Sequence, residues 1–328
     1  MNRSAVPPPV TKVMRAAGTW LPPLMDRVER RLGDLVGGHG AALAEEGGAT
    51  LSAGGKRLRP MLVLLCAGPD AGERALRAAT AVELVHMATL VHDDVLDAAP
   101  LRRGLPTVVA RSGRARATAV GDLLFSRAFS ELAAPGGERQ VELLAGASVG
   151  LALGELSQRQ DAFDVSIPAE RYLERCELKT ARLFECACLI GRGGPGTGDG
   201  ANQSLATFGR EIGLAFQLLD DVLDVSGPPE RTGKARGTDL LDGTVTLPLI
   251  LARDADPGLR DLDLRPLDAA TAEAVCERIA ATGALDDVRD SARRRVEAAK
   301  AALQDAAVGG EQRELLELVA EGVVERYA

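Results

Sequence analysis

Two acidic pentads with identical spelling dominate the chain, Asp93-Asp94-Val95-Leu96-Asp97 and Asp220-Asp221-Val222-Leu223-Asp224. On a helix, Asp93 and Asp97 share a face, with Asp94 about 100° round from Asp93, so three carboxylates crowd one edge. Pro100 and Gly227-Pro228-Pro229 follow closely and place both pentads at helix C-termini. The helix dipole disfavours anions there by about 0.3–1 kcal/mol each, before their mutual repulsion. Acid gathered at the least favourable end of a helix implies a cation that offsets it. All-oxygen ligands suit Mg²⁺, which shares one or two carboxylates with water and substrate phosphates. One pentad alone could be a solvated helix end; an identical pair, each ending a strongly apolar segment, argues for a shared role. A carboxylate-bridged di-iron site would need two Glu-x-x-His motifs. Glu83-x-x-His86 fits, but the remaining histidines, His39 and His92, cannot complete the set.

A metal on carboxylates points to phosphate, and phosphate needs cations at discrete points. Gly54-Gly55-Lys56-Arg57-Leu58-Arg59-Pro60 puts three cations at a glycine-flexed helix start, where free backbone N–H groups also favour anions. Alone it reads equally well as a solvated basic turn. Arg102-Arg103-Gly104 follows the first pentad closely enough for guanidinium forks to reach ligands held above it. Lys179-Thr180 falls inside a helix, and Lys234 lies in a glycine-rich loop after the second pentad. Each lysine alone would more often be a surface charge; together they form a cationic ring around two acidic platforms.

The elements that must position these residues are helices. The chain has 328 residues, 46% of them apolar, but only six Phe, two Tyr and one Trp. Ala, Leu, Arg and Glu are plentiful, a helix-favouring balance with enough apolar mass for a sizeable core. Breakers at Gly54-Gly55, Gly68-Pro69, Pro100, Pro135-Gly136-Gly137, 191–200, Gly227 to Pro229 and Asp256-Pro257-Gly258 separate apolar segments at a helical-bundle cadence. No run of strict alternation bounded by hairpin turns predicts a sheet. Segments 75–97 and 205–224 are apolar nearly all round, as in helices buried on every side. We therefore expect an all-α fold, with residues 1–23 a loose Pro-rich lead and 24–328 a single domain whose charged helices from about 267 onward serve as scaffold.

The net charge of −8 argues against nucleic acid as a partner. No apolar run approaches the roughly 18 residues of a membrane span, and the N-terminal prolines replace any signal core. Five cysteines without a CxxC pair read as buried reduced thiols. These features predict a cytoplasmic location.

Taken together, GGKRLRP at 54–60, HDDVLD at 92–97, RRGLPT at 102–107, GD at 121–122, LKT at 178–180, FQLLDDVLD at 216–224 and GK at 233–234 resemble the all-trans isoprenyl diphosphate synthases over about residues 50–250. The resemblance implies an isoprenoid synthase-type helical bundle around a deep central cavity. It also implies a homodimer that condenses isopentenyl diphosphate with an allylic diphosphate, using about three Mg²⁺ ions. By motif position, Asp93 and Asp97 would hold two ions and Asp220 the third, with Asp94, Asp221 and Asp224 in support. Arg102, Lys179 and Lys234 would grip the allylic diphosphate. Lys56, Arg59, His86 and Arg103 would hold that of isopentenyl diphosphate, and Thr180 and Gln217 would line the reacting centre. Without the resemblance, His86 reads as a core histidine. One departure is Thr244, where many members carry a second lysine.

The growing chain should run past the helix preceding Asp93, which makes Ala88 and Thr89 its first floor, Val85 the next residue on that face, and Phe125 a lower floor that reads equally well as core. In the family, small residues at the first floor mark medium- or long-chain products; geranylgeranyl or farnesyl diphosphate would be the shorter alternative. A class I terpene cyclase would lack the second diphosphate site. A non-catalytic subunit of a heteromeric synthase would usually lose pentad aspartates, and all six are present.

Overall fold

The computed structural model describes residues 8–38, 46–48, 50–51, 55, 57–102, 104–193, 199–227 and 236–325. Lys56, Arg103 and Lys234 lie outside the described residues. The fold is all-α, as expected. Helices α1 (Pro8–Ala16), α2 (Leu21–Gly37), α3 (Leu58–Ala67) and α4 (Glu73–Leu96) lead into a short ladder in which β1 (Leu101–Arg102) pairs antiparallel with β2 (Leu105–Pro106). Then follow α5 (Val108–Ser112), α6 (Arg114–Leu132), α7 (Glu138–Gln160) and α8 (Ala169–Cys176). A single π-helical turn, Glu177–Ala181, continues into α9 (Arg182–Arg192), and α10 (Asp199–Ser226) is the longest helix. The chain ends with α11 (Thr238–Leu241), α12 (Leu247–Ala255), α13 (Pro257–Arg260), α14 (Ala269–Ala281), α15 (Ala284–Leu303) and α16 (Gly310–Glu325).

Helix α4 is buried on almost every side, from Ala75 to Val95, because its sequence offers neighbours an apolar surface all round. It packs along α6, while α10 packs along α15 and α9 lies between α3 and α10. The later amphipathic helices thus enclose the central bundle.

The first residues depart from the expected loose lead. Pro8–Ala16 is helical and packs on α16, with Val13 and Ala17 buried. Pro8, Pro9, Pro22 and Pro23 all sit in first helical turns, where a missing N–H costs nothing. All five cysteines are free and buried, as expected. No described helix is long and apolar enough to cross a membrane.

Candidate active site

The first pentad ends α4. Asp97 caps the helix, its N–H bonded to the Asp93 carbonyl at 2.8 Å, and Ala98 turns through a left-handed conformation at φ 48°. That conformation costs a non-glycine residue about 1–2 kcal/mol. It sends the chain into the β1–β2 ladder, which folds Arg102 back on the helix. Arg102 Nε donates to Asp94 Oδ1 at 2.8 Å. Asp94 is buried. Lying round the helix from Asp93, it anchors Arg102, while Asp93, Asp97 and Arg102 line an open cavity of about 210 Å³.

The opposite wall is the π turn. Widening the helix by one residue is a feature often found at functional sites, and here it carries Lys179 and Thr180. Two glycines let neighbouring helices close on it. A Cβ at Gly154 of α7 would lie 2.6 Å from the Lys179 backbone nitrogen, and one at Gly213 of α10 would lie 2.6 Å from Ala181 Cα. Lys179 Nζ is 2.5 Å from Glu155 Oε2 and donates to Gln158 Oε1 at 3.2 Å. Burial works against the Lys179 charge, but Asp93 and Glu155 more than offset it and hold the ammonium above its ordinary range. Burial likewise raises the Asp93 carboxyl, with Lys179 pulling the other way.

The second pentad contributes a hydrogen-bond chain. Thr180 Oγ1 donates to Gln217 Oε1 at 2.7 Å, Gln217 Nε2 donates to Asp221 Oδ1 at 2.8 Å, and Tyr172 OH donates to Asp221 Oδ2 at 2.5 Å. Asp221 is buried with both oxygens engaged, and burial together with the charge of Asp239 pushes its carboxyl up to about 8. Asp221, expected in support of the metal, also lines the cavity. Asp220 and Asp224 are half-buried, and Asp224 Oδ2 accepts the Asp239 N–H at 3.2 Å.

The basic turn divides its residues. Arg57, at φ 47° before α3, pairs with Glu29 at 2.5 Å and Glu83 at 2.6 Å and is structural. Arg59 lies over the Phe184 ring at 4.4 Å, and its buried Nε has no hydrogen-bond partner. Burial brings its guanidinium down to about 10 despite the charges of Glu83 and Asp220. His86 is half-buried on α4. Of the residues expected as floor, Ala88 and Val85 have no exposed surface, Thr89 is half-buried, and Phe125 stacks against Phe129 at 5.9 Å.

Several cavity residues were not singled out from sequence: Gln158, Arg159, Tyr172, Asp239 and Asp242. Arg159 Nη2 donates to Asp97 Oδ1 at 2.6 Å, and its Nε donates to Glu155 Oε1 at 2.8 Å. Thr244, the departure noted above, lines the cavity beside Asp242. Among the described residues, no three Asp, Glu, His or Cys side chains form a ready metal cage.

A helical bundle whose cavity joins acidic helix ends to convergent cations defines a diphosphate-handling enzyme of the prenyltransferase class. Residues 41–282 match the polyprenyl synthetase family. The chain is 40% identical over 241 residues to heptaprenyl diphosphate synthase component 2 of Geobacillus stearothermophilus, covering 73% of this chain and 75% of the relative. It is 36% identical over 261 residues to octaprenyl diphosphate synthase of Escherichia coli, covering 77% and 81%. The crystal structure of a Caulobacter crescentus polyprenyl synthase, complexed with calcium and isoprenyl diphosphate, superposes with a TM-score of 0.89 at 36% identity, covering 97% of this chain and 98% of that one. The chain belongs to the polyprenyl synthetase family of all-trans prenyltransferases.

Proposed function

We propose that this chain extends an allylic diphosphate with isopentenyl diphosphate, in a Mg²⁺-dependent reaction, to a polyprenyl diphosphate longer than geranylgeranyl diphosphate. The observation that carries the reading is a single cavity lined by Asp93, Asp97, Arg102, Lys179, Thr180 and Gln217. Asp93 and Asp97 line one open space together with Asp221, Asp239 and Asp242, and a few carboxylate oxygens with diphosphate and water supplying the other ligands are what Mg²⁺ takes, so the donor set fits the ion. Asp93 and Asp97 would hold part of a set of about three ions, and Asp220 with Asp224 the rest. When bound, the metal neutralises charge developing on the departing diphosphate.

The protein's own groups do the remainder. Lys179, fixed by Glu155 and Gln158, and Arg102, fixed by Asp94, offer preorganised positive charge to the allylic diphosphate, which favours ionisation of its C–O bond. Thr180 and Gln217, linked to each other and through Asp221 to Tyr172, would line the reacting centre. Arg59 and His86 would receive isopentenyl diphosphate. Lys56, Arg103 and Lys234 keep their roles by motif position. The homoallyl double bond attacks the allylic cation, and the released diphosphate takes the proton, so no side-chain base is required.

Small residues at Ala88 and Thr89 support the longer product, as do the heptaprenyl and octaprenyl names of similar proteins. We assign a cytoplasmic homodimer. Val149, Leu153 and Leu156 recur on one face of α7 at 60%, 51% and 61% exposure, an apolar stripe suited to a second copy. The relative named as a component points to a different chain as the alternative partner, and light scattering of the purified chain separates the two. Incubation with isopentenyl diphosphate, Mg²⁺ and dimethylallyl, geranyl or farnesyl diphosphate in turn, followed by product sizing, tests the reaction. Products beyond geranylgeranyl length that vanish with EDTA support the proposal; the absence of elongation with every primer overturns it.

A further inference from the structure

Arg159 belongs to none of the motifs that mark the site, yet it lies between two of its parts. From the last turn of α7 it reaches Asp97 Oδ1 at 2.6 Å and Glu155 Oε1 at 2.8 Å, and Glu155 Oε2 in turn lies 2.5 Å from Lys179 Nζ. A carboxylate proposed for metal and a cation proposed for diphosphate are therefore tied together through one guanidinium and one carboxylate. The Arg159 side chain keeps 41% exposure and lines the same cavity as Asp93 and Lys179, so it has room to turn.

A guanidinium and a divalent ion would compete for the Asp97 carboxylate, because two cations in contact repel strongly in a partly desolvated site. We propose that Arg159 is an exchange cation. It neutralises Asp97 before metal arrives, leaves that carboxylate when an ion loads, and then turns its planar fork to the oxygens of the incoming diphosphate, the acceptor geometry a guanidinium matches best. Metal loading and diphosphate capture become coupled, since the ion that takes Asp97 frees the arginine that grips the substrate. Glu155 keeps Arg159 near its place during the exchange. The proposal rests on the reading of Asp97 as a metal ligand.

The test uses the purified full chain, with Mn²⁺ binding followed by electron paramagnetic resonance in the absence of any diphosphate. Inorganic pyrophosphate binding is then measured by calorimetry in excess Mg²⁺. An ion pair of this exposure is worth up to about a fivefold change in a binding constant. Arg159→Gln should therefore bind its first Mn²⁺ about fivefold more tightly than the wild type and pyrophosphate several-fold more weakly, with unchanged circular dichroism. Unchanged or weaker Mn²⁺ binding by Arg159→Gln overturns the exchange, and unchanged pyrophosphate binding overturns the grip. Asp97→Asn separates the two readings. If it leaves Mn²⁺ binding intact, the metal assignment falls and this proposal with it; if it abolishes binding while Arg159→Gln changes nothing, the exchange alone falls.

Discussion

Lys179 Nζ lies 2.5 Å from Glu155 Oε2, across the notch that Gly154 leaves between α7 and the π turn. The lysine is thus fixed before any substrate arrives, and the cost of ordering it is met on folding. Lys179→Gln should lower kcat/KM for the allylic diphosphate by about 10²–10³, the usual loss of one preorganised charge donor. Steady-state kinetics would show this, with Tm nearly unchanged because Glu155 retains Arg159 as a partner. Retained kcat/KM would remove Lys179 from the diphosphate site.

Gly154 permits that contact. A Cβ there would sit 2.6 Å from the Lys179 backbone nitrogen and 2.9 Å from Lys179 Cβ, and backbone cannot give way as a flexible side-chain end can. Gly154→Ala should cost about 1–3 kcal/mol, as overpacking does, and should also depress kcat by displacing Lys179 and Thr180. Thermal unfolding together with kcat measures both. An unaltered melt would show that α7 has slack at this point.

Tyr172 donates to Asp221 inside the core. Tyr172→Phe removes a partner from a buried carboxyl group, which should lower stability by about 1–3 kcal/mol in urea unfolding. The Gln217–Thr180 link would also lose its anchor, so kcat should fall more than KM rises. Equal stability with unchanged kcat would separate the hydrogen-bond chain from the reaction.

The product floor divides between two positions. Thr89 is half-buried, whereas Ala88 is fully enclosed. Ala88→Phe and Thr89→Phe should both shorten the product on chromatographic sizing, and Ala88→Phe should carry an added overpacking cost of about 1–3 kcal/mol. An unchanged product distribution in both variants would sink the floor assignment.

Much of this site was legible in the chain because its chemistry is written in short, local strings. The pentads stand out by helix spacing and breakers, Thr180 and Gln217 by the family resemblance of their strings, and the all-α fold follows from the breakers and composition. Long-range pairing was not legible. Arg57 sat in a string of cations that looked made for phosphate, yet its partners Glu29 and Glu83 come from other helices and claim it for the core. Asp94 and Asp221 are spelled like their neighbours, and only the tertiary structure shows Asp94 paired with Arg102, and Asp221, which lines the cavity, held by Tyr172. Arg159 had no motif to announce it. The helix at Pro8–Ala16 was hidden by prolines that are harmless in a first turn.

The central claim is that the end of α4 is a metal-diphosphate platform, and Asp93 tests it most directly. Burial, with Glu155 and Asp97 nearby, disfavours the Asp93 charge more than Lys179 and Arg102 favour it, so its loss should not unfold the chain. The decisive measurement is turnover of isopentenyl diphosphate with farnesyl diphosphate and saturating Mg²⁺ by Asp93→Ala, alongside its circular dichroism and Tm. The account predicts a rate reduced by orders of magnitude in a fully folded protein. A folded variant that turns over near the wild-type rate would contradict it.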